Sequence, residues 1–194
     1  MAGLSLSRCG RVIVTEQDIT IRNAVYLDIR RMMEIEKSAT GLFSTLPIEF
    51  LQKLPEEIPP QSESFYQSII QLDMSWVLCV RKEVVGYICT EKMVNQNTLH
   101  IHEIDVARPF QGMGLGSKLL RFVIDWARGR HIPRLTLTTF KEVPWNAPFY
   151  SKLGFEIMDT NSVDTYLQNL LQAEVRFGLP EETRCAMVLE LPES

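Results

Sequence analysis

The chain has no long apolar run: nothing in its 194 residues approaches 18 uninterrupted apolar positions, so no membrane-spanning helix is expected. Its first residues, MAGLSLSRCGRVIV, are too polar for a secretory leader. Cysteine is scarce and scattered. Cys9, Cys79, Cys89 and Cys185 form no CxxC pair, which argues for reduced, mostly buried thiols and against a disulfide framework or zinc site. Basic residues are outnumbered, 20 Lys+Arg against 24 Asp+Glu, for a net charge of −4. Non-specific nucleic-acid binders usually carry a basic excess, so that class is disfavoured. Histidine is rarer still, at three, and the HIH string has no further ligands at metal spacing. Repeats and low-complexity tracts are missing too. What remains is an ordinary globular composition, 45% hydrophobic and 23% charged. A cytoplasmic protein without metal, membrane or nucleic-acid partners is the default expectation, and composition leaves monomer or homodimer open.

The patterning is mixed. DITIRNA alternates as a first strand, and VYLDIRRMMEIEKSA follows with Val25, Ile29, Met32 and Met33 at helical spacing, up to a stop at Gly41. Residues 46–63, with Pro47, Pro55, Pro59 and Pro60, predict a loop or broken helix over the core. FYQSIIQL reads as a short helix, WVLCVRKEVVGYICTEKMV as a hairpin around a charged turn, and TLHIHEIDV as a strand. SKLLRFVIDWARGR places Leu119, Leu120, Val123, Trp126 and Ala127 on one helical face, with Gly129 at its end. RLTLTTF alternates as a strand, and NAPFYSKLGFEIM predicts a short helix stopped by Gly154 and then a strand. SVDTYLQNLLQAEVRFG is a helix pattern, and RCAMVLEL closes the chain as a strand. This order gives one mixed α/β domain over residues 19–191, with antiparallel and parallel pairs in one sheet. Residues 1–18 form an extension whose RVIV patch predicts an added strand.

The densest signal is RPFQGMGLGSK at 108–118, with glycines at 112, 114 and 116 between a strand and a helix. A helix N-terminus leaves its first N–H groups unpaired and carries partial positive charge, which suits a phosphate. Glycines there permit positive φ and let successive N–H groups converge on one anion. Arg108, Lys118 and Arg121 add positive charge nearby. GxxxxGK[ST] does not occur, and position 117 is serine, so the spacing is GxGxG rather than the dinucleotide GxGxxG. A plain glycine turn between strand and helix is the bland alternative.

The spacing that fits is Q/R-x-x-G-x-G/A, at Gln111, Gly114 and Gly116. It resembles the acetyl-CoA loop of the GNAT N-acetyltransferase superfamily. The VARP string before it, NAPFYSKLGF after it, TIRNAVYLDIRRMMEIE near the start and RCAMVLEL at the end resemble other parts of that family, over roughly residues 19–191. TTFKEVPWNAPFYSKLGF is similar to small bacterial acetyltransferases, and HIHEIDV to arylalkylamine N-acetyltransferases, whose paired histidines line an amine site. The resemblance implies a mixed, mostly antiparallel sheet of about seven strands flanked by helices. It also implies acetyl-CoA as co-substrate, held by Ile104, Asp105, Val106, Gln111, Gly112, Met113, Gly114, Leu115, Gly116, Ser117, Asn146, Phe149 and Lys152. The backbone at Val106 would pair with the pantetheine arm and aim an N–H at the carbonyl. A catalytically silent coenzyme A sensor is the alternative to an enzyme.

Acetyl transfer to an amine needs a proton acceptor, because an alkylammonium near pKa 10 is no nucleophile at neutral pH, and an acid for the departing thiolate. Tyr150, four residues before Gly154, matches the family's acid tyrosine, against the plain reading of a core aromatic. Strand alternation puts His100, His102, Ile104 and Val106 on one face and Glu103 and Asp105 on the other. His100 and His102 are the candidate bases, or structural histidines. Glu103 is the alternative base, since many family members use a strand carboxylate. The acceptor expected is a primary amine on a small molecule, or else on a protein or peptide. Glu49, Glu56 and Glu57 would favour a cationic amine, unless they are merely solvated.

Overall fold

The structure, a computed structural model, describes residues 14–56, 58, 60–93 and 97–192. Most of the RVIV patch, Cys9, Glu57 and Pro59 lie outside the described residues. The strands are β1 Ile19–Asn23, β2 Ser75–Val80, β3 Glu83–Met93, β4 Thr98–Val106, β5 Arg134–Phe140, β6 Glu156–Ile157 and β7 Arg184–Glu190. The helices are α1 Ile29–Thr40, α2 Ile48–Leu51, α3 Glu63–Gln71, α4 Leu115–Arg128, α5 Ala147–Ser151 and α6 Thr165–Arg176. One seven-stranded sheet runs in the order β1-β2-β3-β4-β5-β7-β6. Its pairs β1–β2, β2–β3, β5–β7 and β6–β7 are antiparallel, and β4–β5 is parallel from Thr98 with Arg134 to Ile101 with Leu137. The mixed, mostly antiparallel α/β architecture expected from the sequence is therefore present. The described residues of 1–41, 60–89 and 103–120 form one compact unit, and those of 42–59, 90–102 and 121–194 a second.

In the first unit, α1 buries Ile29, Met32, Ile35 and Glu36. Val25, expected on that stripe, lies outside the helix and is 48% exposed. Asp28 explains the late start. Its carboxylate accepts from the Val25 N–H at 2.9 Å and pairs with both terminal nitrogens of Arg22, at 2.7 and 2.8 Å. Residues 25–28 are thereby held in a tight turn ahead of the helix. Met33 is only partly buried. The β2–β3 turn uses Arg81 and Lys82 at φ 49° and 74°, the left-handed pair that two-residue hairpins favour. Asp18 fixes it with a 2.9 Å bond to Arg81 Nε, and that arginine holds the Asp18 carboxyl well below its ordinary range.

Gly86 on β3 marks a close approach of strands. A Cβ there would lie 3.0 Å from the Asp105 carbonyl oxygen, 3.2 Å from Val106 Cγ2 and 3.3 Å from Leu119 Cδ1. Gly86→Ala should lower stability by about 1–3 kcal/mol, the usual cost of overpacking a filled core, measured by urea denaturation. An unchanged midpoint would mean that β4 yields freely at that point.

In the second unit, Phe140, Val143 and Leu179 form a buried cluster covered by Phe43, Leu46, Phe50, Leu54, Ile58 and Trp145. The proline-rich stretch thus does lie on apolar core residues of its own unit, with α2 as its one short helical piece among the described residues. Trp126 of α4, expected on the buried face, is half-buried, with the Arg130 guanidinium 4.0 Å over its ring. Gly154 at φ 93° ends the α5 turn as expected. No helix among the described residues is long and apolar enough to cross a membrane.

Candidate active site

The glycine loop leaves β4 and enters α4 within the first unit. Ala107 N–H donates to the Val85 carbonyl at 2.8 Å, and Gln111 Nε2 reaches back to the Val106 carbonyl at 2.9 Å. Gly112 and Gly114 take φ of 73° and 78°, and a Cβ built on either would meet no atom within 4 Å. Packing therefore does not require glycine here; the backbone conformation does. The Lys118 N–H closes the first turn on the Gly114 carbonyl at 3.0 Å, so the N–H groups of Leu115, Gly116 and Ser117 precede the helical ladder. Met113 and Ser117 are partly buried. Two cations expected beside the loop are occupied by protein. Lys118 pairs with Glu16, while Arg108 donates from its side chain to the Gly41 carbonyl and from its backbone to Ser38 Oγ.

In the second unit, β4 presents its two histidines together, with ring centroids 4.8 Å apart. His100 is 1% exposed, its Nδ1 hydrogen-bonded to Thr136 Oγ1 at 3.1 Å and its ring met edgewise by Tyr166 of α6 at 5.3 Å. Burial, and then His102, push its pKa down to about 3, so it is neutral at physiological pH. The side chain of His102 is 16% exposed, and its Nε2 is bonded to Glu91 Oε2 at 2.9 Å. Burial lowers its pKa, and the Glu91 carboxylate opposes that shift. Sequence reasoning missed Glu91 and Tyr166. Glu91 was legible in principle as a carboxylate on the strand that precedes HIH.

Asn146 stands just ahead of α5, its carbonyl accepting from Phe149 and Tyr150 N–H at 2.8 and 3.1 Å. Its Nδ2 donates to Thr139 Oγ1 at 2.7 Å, while its Oδ1 is buried and accepts no hydrogen bond. Such an orphaned acceptor calls for a donor from elsewhere, and a ligand amide is one. Tyr150 is 8% exposed, its ring packed edgewise on Phe149 and Phe155 at 5.1 and 5.8 Å. Lys152 is exposed. On β4, Glu103, Ile104, Asp105 and Val106 are all partly buried. The first unit also holds a feature absent from the sequence reading, a hydrogen-bonded row of Glu36, Tyr66, Tyr87 and Asp105.

The glycine turn thus heads a helix that follows the central strand of a seven-stranded mixed sheet. The sequence pattern of the acetyltransferase (GNAT) family matches residues 40–155, and the chain belongs to this family. A 5-NmdU N-acetyltransferase of Pseudomonas phage PaMx11 is 23% identical over 141 residues, 72% of this chain and 88% of the phage protein. Among solved structures, Ard1 from Thermoplasma volcanium aligns with a TM-score of 0.64 at 20% identity, over 91% of this chain and 99% of that one. N-acetylglutamate synthase from Neisseria gonorrhoeae, complexed with coenzyme A and N-acetyl-glutamate, gives 0.64 at 18% identity, over 90% of this chain but only 35% of its own.

Proposed function

We propose that the chain moves the acetyl group of acetyl-CoA to a primary amine on a small molecule, by direct transfer with both substrates bound. The observation that carries this reading is the open cradle at Gly112 and Gly114 at the head of α4. Residues 111–117 would take the pyrophosphate on backbone amides, which needs no lysine or arginine to bind the anion. Asn146, with its unfilled acceptor, fits an amide of the pantetheine arm. The Val106 N–H would meet the charge that develops on the thioester oxygen, and the Tyr150 phenol would protonate the departing thiolate. Phe149 and Lys152 would complete the coenzyme contacts. The amine's proton leaves through β4, by His102 or by the carboxylates of the opposite face.

Tyr150→Phe tests this. Acetyl-CoA affinity by calorimetry should stay within about twofold, while turnover falls about a hundredfold, the usual weight of one positioned acid. Equal turnover would remove Tyr150 from the chemistry. Binding of acetyl-CoA with no transfer to any amine would favour the silent sensor, and transfer to peptides alone would correct the acceptor class.

A further inference from the structure

The row of buried acids and phenols in the first unit has a property that can be counted. Tyr66 Oη donates to Glu36 Oε2 at 2.6 Å, Tyr66 and Tyr87 hydroxyls are 2.9 Å apart, and Tyr87 Oη is hydrogen-bonded to Asp105 Oδ2 at 3.1 Å. Three links need three hydrogens, and two phenols bring only two. The third therefore belongs to a carboxyl, so Glu36 and Asp105 together hold one proton. Glu36 also accepts the Gln61 N–H on both oxygens, at 2.9 and 3.1 Å, which favours its ionised form and leaves the proton on Asp105.

The surroundings agree. Tyr66 and Tyr87 are fully buried and Glu36 nearly so. Burial first, then the charge of Glu103, pushes the Asp105 carboxyl well above the ordinary range, and burial raises Glu36 too. Both phenols and the neighbouring Cys89 thiol are pushed up, so they keep their protons. The titratable groups around the row are thus Glu36 on α1, Tyr66 on α3, Tyr87 and Cys89 on β3, and Glu103 with Asp105 on β4. Asp105 is also the residue before Val106, whose carbonyl Gln111 grips at the mouth of the glycine loop.

We propose that Asp105, Tyr87, Tyr66 and Glu36 form a proton relay that takes the acceptor ammonium's proton at Asp105 and discharges one at Glu36. The proposal rests on the amine-acetyltransferase reading above. In the first step each hydrogen moves one place along the row: Asp105–H and ionised Glu36 become ionised Asp105 and Glu36–H, and each phenol gives one hydrogen and receives one. Asp105 then takes the proton of R–NH3⁺, leaving R–NH2. Glu36–H finally loses its proton to water, both phenol hydroxyls turn back toward Glu36, and the resting state returns. Net, one ammonium proton goes to solvent. Wild-type activity needs only that the pair shed its second proton, whereas an Asp105 cut off from Glu36 must lose its own.

The test has two arms. Infrared spectra of the free protein at neutral pH should show one protonated carboxyl carbonyl, lost in Asp105→Asn and equally in Glu36→Gln, whose amide supplies the third hydrogen. Absence of that band in wild type overturns the shared proton, whatever the activity does. In kinetics, Tyr87→Phe and Tyr66→Phe should move the acid limb of kcat/KM for the amine to higher pH by a unit or more. That lowers the rate at neutral pH about tenfold, with acetyl-CoA binding unchanged. A merely structural role would lower the melting temperature and leave the limb in place. A limb that moves in His102→Gln and stays fixed in both tyrosine variants gives the proton to the histidine and overturns the relay. If no amine is acetylated at all, the function proposed above fails, and the infrared band still decides the shared proton.

Discussion

Gly114→Val should weaken acetyl-CoA binding by at least about a hundredfold, some 2.7 kcal/mol. The backbone at 114 lies at φ 78°, where a β-branched residue is strained by about 1–2 kcal/mol, and the added side chain would project into the space above the cradle. The first term lowers the melting temperature of the free protein by a few degrees; the second acts only on the ligand. Comparing the free and acetyl-CoA-loaded melting curves separates the two. A valine variant that binds acetyl-CoA like wild type would place the pyrophosphate away from these amides.

Arg184→Met should cost about 3 kcal/mol in chemical denaturation. The Arg184 guanidinium meets both oxygens of Glu174 at 2.7 and 2.8 Å and sits 4.4 Å over the Phe140 ring, and Thr138 Oγ1 donates to the same carboxylate at 2.6 Å. Its side chain is only 9% exposed. Removing it strands a largely covered carboxylate, which costs more than the pair contributes in itself. Glu174→Gln added to Arg184→Met should therefore recover part of the loss. The same pair ties α6 to β7, and α6 carries the Tyr166 ring that covers His100. A loss below about 1 kcal/mol would mean that buried Leu167 and its neighbours hold α6 without the ion pair.

Elements with a strong period, such as α4, β5 and the hairpin, were legible because burial alone decides them. The start of α1 was not. Val25 keeps the apolar spacing, but Asp28, bonded to Arg22, spends the preceding residues on a turn. The glycine loop was legible because positive φ leaves a mark in composition. The row Glu36–Tyr66–Tyr87–Asp105 was not, because its members lie 18 to 30 positions apart and meet only in the folded unit. One trace of it was present. Glu36 falls in phase with Ile29 and Met32, and a carboxylate on an apolar stripe asks for a buried partner. Tyr166 left no comparable trace, since a single aromatic on an amphipathic element is ordinary.

Arg108 holds the carbonyl of Gly41, and Glu36 holds the N–H of Gln61. Both clamps lie in the unit that carries the glycine loop, yet they bracket a segment, 42–59, that packs with the other unit. The ends of that segment are fixed by bonds in which its own side chains take no part. Its exposed positions can then vary while Phe43, Leu46, Phe50, Leu54 and Ile58 keep covering Phe140, Val143 and Leu179 and the residues that flank it keep their partners. The two tethers and the apolar cover thus set separate limits, the first on where the segment is anchored and the second on which of its residues can change.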